Sequence, residues 1–160
     1  MNTDTDIRAA LISAAQSFLT QNATIQTASG VESNNPTINI GDIAWENRTF
    51  DPASKDVWAS VFYRPNIPTA RTIGGRGIDE INGFLQIDLN IAPNSGEGEL
   101  IKWEKKARIF FHGGRKFIEN NDSALVTSCG MSQGRHVDNH FRKSITVAFR
   151  GQLKRSQVTN

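Results

Sequence analysis

Residues 83–93, Gly-Phe-Leu-Gln-Ile-Asp-Leu-Asn-Ile-Ala-Pro, constrain this chain more than any other stretch. Leu85, Ile87, Leu89 and Ile91 alternate with Gln86, Asp88 and Asn90. That period of two is a strand with one apolar and one polar face. Pro93 cannot donate to a ladder and ends it. A different period follows: Leu100, Trp103, Ala107, Phe110 and Phe111 recur at three- and four-residue spacing, the buried stripe of an amphipathic helix. The strand and helix predict the centre of one core.

The flanking elements follow from similar patterns. Thr3, Asp4 and Thr5 offer an N-cap, and Ile7, Leu11, Ala14, Ala15, Phe18 and Leu19 predict a helix over residues 4–19. Residues 23–28 read as a short strand or extended link, and 29–36 as turn chemistry. Strands are predicted near 42–47, over 56–63, over 123–127 and over 144–150. Aromatics on both faces of 56–63 imply a strand covered on both sides. Residues 64–82 hold Pro65, Pro68, Gly74, Gly75 and Gly77 with isolated isoleucines, too long for a structureless loop in a compact domain. They predict a projecting loop or β-hairpin arm. Residues 128–139 read as a second polar segment and 151–160 as a flexible C-terminal tail after a single domain over 1–150. The fold class is α+β: one mixed, mostly antiparallel sheet, with two main helices on one face.

Charge is unevenly spread. Residues 1–100 carry six Lys/Arg and twelve Asp/Glu, a net −6. Residues 101–160 carry twelve and four, a net +8, and the two sum to the chain's +2. Such polarity suits self-association or an acidic partner, unless the two kinds of charge mix in space on folding. The single cysteine, Cys129, excludes a disulfide within the chain and suits a reducing compartment. No secretory leader and no membrane-spanning apolar run is evident.

Motifs for chemistry are weak. Gly74-Gly75-Arg76-Gly77 and His112-Gly113-Gly114-Arg115-Lys116 lack P-loop spacing, and the second sits at a helix C-terminus, whose dipole repels anions. Cys129, His136 and His140 are one ligand short of a structural zinc site. No Gly-x-Ser-x-Gly is present. No catalytic residue, metal site or cofactor is expected. Lys102, Lys105 and Lys106 are read as sharing the helix face opposite Trp103. Solvation is the plain meaning of such a face; contact with DNA phosphates or an acidic partner is the sharper one.

The opening helix from Asp6 to Leu11, Ile43-Ala44-Trp45-Glu46-Asn47-Arg48-Thr49-Phe50-Asp51-Pro52, the 58–65 strand, the 83–91 strand, Gly96-Glu97-Gly98, the 103–111 helix and residues 142–149 together resemble the tail terminator-like family of long-tailed bacteriophages, of the lambda type. The resemblance implies a non-enzymatic virion protein. It implies a ring, hexameric in this family, that caps the tail tube, ends its polymerisation and offers the head-joining surface. The implied partners are copies of itself, the major tail tube protein and a head–tail connector or neck protein, with genomic DNA passing through the ring and no membrane. The implied location is the head-proximal end of the tail, after assembly in the host cytoplasm. A ring needs two different patches on each copy. Ile73, Arg76 and Ile78 in the arm, with Arg135 and His136 in the second polar segment, are the interface candidates. The alternatives are another neck ring, a minor tail protein, or a basic DNA-binding adaptor.

Overall fold

The alternation of residues 83–93 belongs to a strand longer than its pattern reveals. The computed structural model describes residues 4–22, 25–32, 35–120 and 122–155. In chain order they form α1 (Asp4–Thr20), β1 (Ile25–Thr27), β2 (Gly30–Glu32), a 3-10 turn (Ile40–Asp42), β3 (Ile43–Trp45), β4 (Val57–Pro65), β5 (Thr69–Ala70) and β6 (Ile78–Ile91). Then come α2 (Gly98–Phe110), β7 (Lys116–Glu119), β8 (Asp122–Met131), β9 (Arg135–Val137) and β10 (His140–Lys154). Eight strands make one sheet in the order β3-β4-β6-β10-β8-β7, with β5 added to β6 and β9 to β10; β1 and β2 pair apart from it. The pairing of β3 with β4 is parallel and the rest antiparallel, so the sheet is mixed as expected.

β6 and β10 pair without interruption from Ile91↔Phe141 to Ile78↔Lys154. Side chains alternate across this ladder. On one face Leu85, Ile87 and Leu89 stand beside Val147, Ile145 and Lys143 of β10 and beside Tyr63, Val61 and Ala59 of β4. The helices reach the sheet on this face. A Cβ on Gly151 would lie 2.7 Å from Ile7 Cδ1, so α1 approaches closely there. Cys129, opposite Val147, places its Sγ 3.8 Å from the Ala107 carbonyl of α2. Phe18 locks the helices together, its ring 5.4 Å from Trp103 and 5.2 Å from Phe111. Edge and tilted aromatic contacts of this kind add roughly 0.5–1.5 kcal/mol each beyond burial.

Several expectations change. Residues 151–154, read as loose tail, complete β10. Residues 128–139 are mostly strand, split between β8 and β9. Of the two readings of residues 23–28, the strand forms as β1, and it pairs with β2 in a hairpin where only turn chemistry was expected. The short β7 was not expected; it has only four residues, and its alternation is too brief to register. The cap at Thr3 and the tail beyond residue 155 lie outside the described residues.

Lys106 is the main departure from the helix reading. It is 1% exposed and joins Leu100, Trp103 and Ala107 on the buried stripe of α2. Its Nζ donates to the carbonyls of Gln21 and Pro36, both at 2.8 Å, and sits 5.0 and 5.3 Å from the Trp103 and Phe18 rings. One ammonium thus closes the end of α1 and the following segment onto α2. Burial pushes its pKa down to about 8. Lys106→Met keeps the stem and leaves two carbonyls without a donor, so it should cost about 2–4 kcal/mol in urea unfolding. The unfolded chain keeps this proton up to about 10.5, whereas the folded chain releases it near 8. Between those values the unfolded state binds more protons, so stability relative to Lys106→Met should rise with pH.

Candidate assembly surfaces

The arm continues the β4–β6 hairpin. Thr69 and Ala70 pair with Glu80 and Asp79, leaving residues 71–77 as the turn. Arg155, the first residue after β10, clamps this turn. Its guanidinium donates to Asp79 Oδ1 at 2.7 and 3.0 Å, to the Thr72 carbonyl at 2.7 Å and to the Gly74 carbonyl at 2.5 Å. Its backbone N–H donates to the Gly77 carbonyl at 3.0 Å. Gly77 is required, since a Cβ there would lie 2.5 Å from Thr72 Oγ1 and 2.7 Å from Arg155 Nη1. The Asp79 carboxyl is held below its ordinary pKa chiefly by the Arg155 hydrogen bond. The tip is therefore a braced loop. It carries Ile73 at 103% exposure, with Arg76 also exposed. Ile78 differs: it is half-buried and paired with Lys154.

The other end of β10 carries the second candidate patch. β9 pairs back on β10 through Arg135↔Arg142, with Asp138 in the left-handed region (φ 51) at the turn. The exposed His136 ring stands edge-on to Phe141 at 5.2 Å. Beside them lies a pocket of about 190 Å³ lined by Ile91, Ala92, Phe141, His136 and residues 94–97, Glu97 among them. Lys154 and Arg142 are twelve residues apart on one strand, so the two patches are separated by roughly 40 Å. The five candidate residues thus form two groups at opposite ends of one ladder.

The three lysines of α2 do not share one open face. Lys102 is exposed and paired with Glu99 at 3.2 Å, Lys105 is exposed, and Lys106 is buried as described. Lys106 therefore cannot serve as a DNA or acidic-partner contact. The Cys129, His136 and His140 side chains do not converge. Cys129 turns towards α2, its thiol pushed up to about 11 by burial, while His140 Nε2 meets the Lys55 carbonyl at 2.8 Å and its ring meets Trp58. Among the described residues no group of His, Cys, Asp and Glu could hold a metal ion. Arg115, from the second glycine-rich motif, caps α2 by donating to the Phe110 carbonyl at 2.7 Å.

The second face of the sheet is polar and partly closed. Trp58 and Ser60, Asn90 and Asp88, and Arg142 and Ser144 stand in two rows across β4, β6 and β10. Asn90 is 0% and Asp88 4% exposed, so polar residues of the opening strand are buried rather than solvated. Arg142 holds them, donating to Asn90 Oδ1 at 2.7 Å with Nη1 3.8 Å from Asp88 Oδ2. Acid and base from the two sequence halves mix here, as they do at Asp79–Arg155. Further along this face a broad groove of about 790 Å³ is lined by Arg71, Lys116, Arg150 and Lys154 with Glu80 and Asp122. Sequence reading missed this group because its members come from β6, β7, β8, β10 and the hairpin turn. No helix among the described residues is long and apolar enough to cross a membrane.

A family model described as phage tail terminator protein matches residues 6–149. No curated protein matches the chain. One solved structure is 16% identical, with a TM-score of 0.49 over 76% of this chain and 85% of its own.

The clamp can be tested directly. Arg155→Ala should speed amide hydrogen exchange over residues 71–78 at least tenfold, while leaving exchange in residues 85–91 unchanged. Unaltered protection at the turn would show that Arg155 does not brace it.

Proposed function

We propose, from the premise that this chain belongs to the phage tail terminator family, that its copies close into a ring that caps the tail tube and ends tube growth. Membership itself gives a structural role in a phage tail. The six-fold closure, the contact with the tube protein and the joining to a head–tail connector extend that role. They are what the resemblance implies.

The observation that carries the ring reading is the placement of two unlike patches at opposite ends of the β6–β10 ladder. A closed ring uses a heterologous interface, in which one patch meets a different patch on the next copy. At one end stands a braced loop with a wholly exposed isoleucine and an arginine. At the other is a pocket of about 190 Å³ lined by Ile91, Ala92 and Phe141 together with Glu97 and His136. An apolar cavity of ~150 Å³ holds a benzene ring, so this pocket has room for one aliphatic side chain. Ile73 of one copy fills it, and Arg76 meets Glu97 at its rim. Arg135 and His136 flank the contact. The tip cannot reach its own pocket, because the intervening ladder holds them roughly 40 Å apart. A stable contact would bury roughly 1,200–2,000 Å² across its whole extent, so neighbouring parts of both ends join in.

Ile73→Asp tests this without disturbing the fold, since a fully exposed side chain contributes within about 0.5 kcal/mol. Light scattering should show a ring mass for the natural chain and single subunits for the variant, with the same far-UV circular dichroism spectrum. Ile78 is left unchanged in this test because it is half-buried in the ladder. A variant that still gives the ring mass would remove the tip from the interface. In infected cells, loss of the protein should give tails of uncontrolled length. Tails of normal length that fail to join heads would point instead to a neck component.

A further inference from the structure

Among the described residues the carboxylates leave three cations of the broad groove unanswered. Four cations less two carboxylates give its lining a formal charge of +2. Glu80 is bound by Arg71 at 2.7 Å, and Asp122 is 3% exposed. Among the described residues no carboxylate pairs with Lys116, Arg150 or Lys154, and all three are exposed. Several acids elsewhere are engaged by other cations: Glu46 by Arg8 and Arg64, Asp42 by Lys55, Asp79 by Arg155 and Asp88 by Arg142.

The register fixes the spacing of these charges. Arg150 stands opposite Leu125, which stands opposite Lys116. Their backbones are two strand spacings apart, roughly 9–10 Å. Lys154 lies four residues further along the same face, roughly 13 Å away. Such spacing suits a repeating anion, since one small ion does not span it. Duplex DNA presents one charge per about 1.7 Å of its axis. Thr72, Ser123 and Gln152, which also line the groove, offer neutral donors for phosphate oxygens. None of the lining residues is aromatic, which favours a duplex backbone over a single strand held by base stacking.

We propose that this groove binds the phosphate backbone of duplex DNA without regard to sequence, and that the second face of the sheet is the DNA-facing surface of the assembly. The proposal rests on the tail reading for the presence of duplex DNA. Its chemistry is measurable whether or not the ring closes.

The experiment is fluorescence anisotropy with a 30-base-pair duplex and the full chain, titrated in salt. Three phosphate contacts per subunit predict a log–log slope of about −2.7, an affinity loss of about 40-fold between 50 and 200 mM salt. The triple variant Lys116→Ala/Arg150→Ala/Lys154→Ala should lose that part of the slope. Lys102→Ala/Lys105→Ala, on α2, should bind as the natural chain does. Lys116→Glu alone, on the short edge strand, should weaken binding about tenfold and serves if the triple variant fails to fold. The proposal is overturned by a triple variant with unchanged affinity and slope, or by no binding at 50 mM salt. It is overturned equally if polyglutamate of matched charge competes as well as DNA, which would mark an acidic protein as the occupant. Light scattering on the same samples separates the two readings. Intact rings with unchanged DNA affinity in the triple variant would reject the groove alone, and subunits that never associate would reject the ring alone.

Discussion

The antiparallel pairing of β6 with β10 is the constraint on which the structure depends. Every residue of β6 has a partner in β10, and β4 and β8 pair on the outer edges of this couple. A single-residue slip of β6 would exchange its faces, carrying Leu85, Ile87 and Leu89 away from the helices and Asp88 towards them. The apolar face therefore fixes the register. The register in turn fixes what stands at each end of the ladder. The clamped turn with Ile73 and the pocket beside Phe141 owe their separation to the same backbone pairing that forms the core.

Charge is arranged on this frame at two depths. Lys106, Asp88 and Arg142 are inside or nearly so, and each is satisfied by fixed partners. Removing one partner of such a group leaves the other buried and uncompensated, which makes these contacts specific as well as stabilising. Most surface pairs, such as Arg108–Glu104 and Lys102–Glu99, contribute little. Among the described cations without an ion pair are Lys116, Arg150 and Lys154 of the basic groove and Arg76 at the tip, all exposed.

Much of the fold was legible because half-buried strands and amphipathic helices carry their own periods. Residues 83–91 alternate cleanly, and α1 and α2 match their apolar stripes. The first part of β6 was not legible. Ile78 and Ile81 fall on opposite faces of the ladder with Asp79 and Glu80 between them, so no alternation survives there. Lys106 was misread because a lysine on a helix suggests solvent. A helical wheel at about 100° per residue places it about 60° from Trp103, within the buried arc, and that angle was the available signal. The pocket at the β9–β10 end and the basic groove could not be read from local sequence. The pairing of β7, β8 and β10 brings Lys116 beside Arg150, and a turn after Ile91 brings Glu97 beside Phe141. The family resemblance, carried by element order and aromatic landmarks, agrees with the match over residues 6–149.

A charge exchange between the tip and the pocket rim tests the central claim most directly. Arg76→Glu and Glu97→Arg each place like charges together if the tip of one copy meets the pocket of the next. Light scattering at physiological salt should show each single variant falling to subunits and the double variant regaining the ring mass. Single variants that keep the ring, or a double variant no better than either, would contradict a ring built by joining the two ends of the ladder.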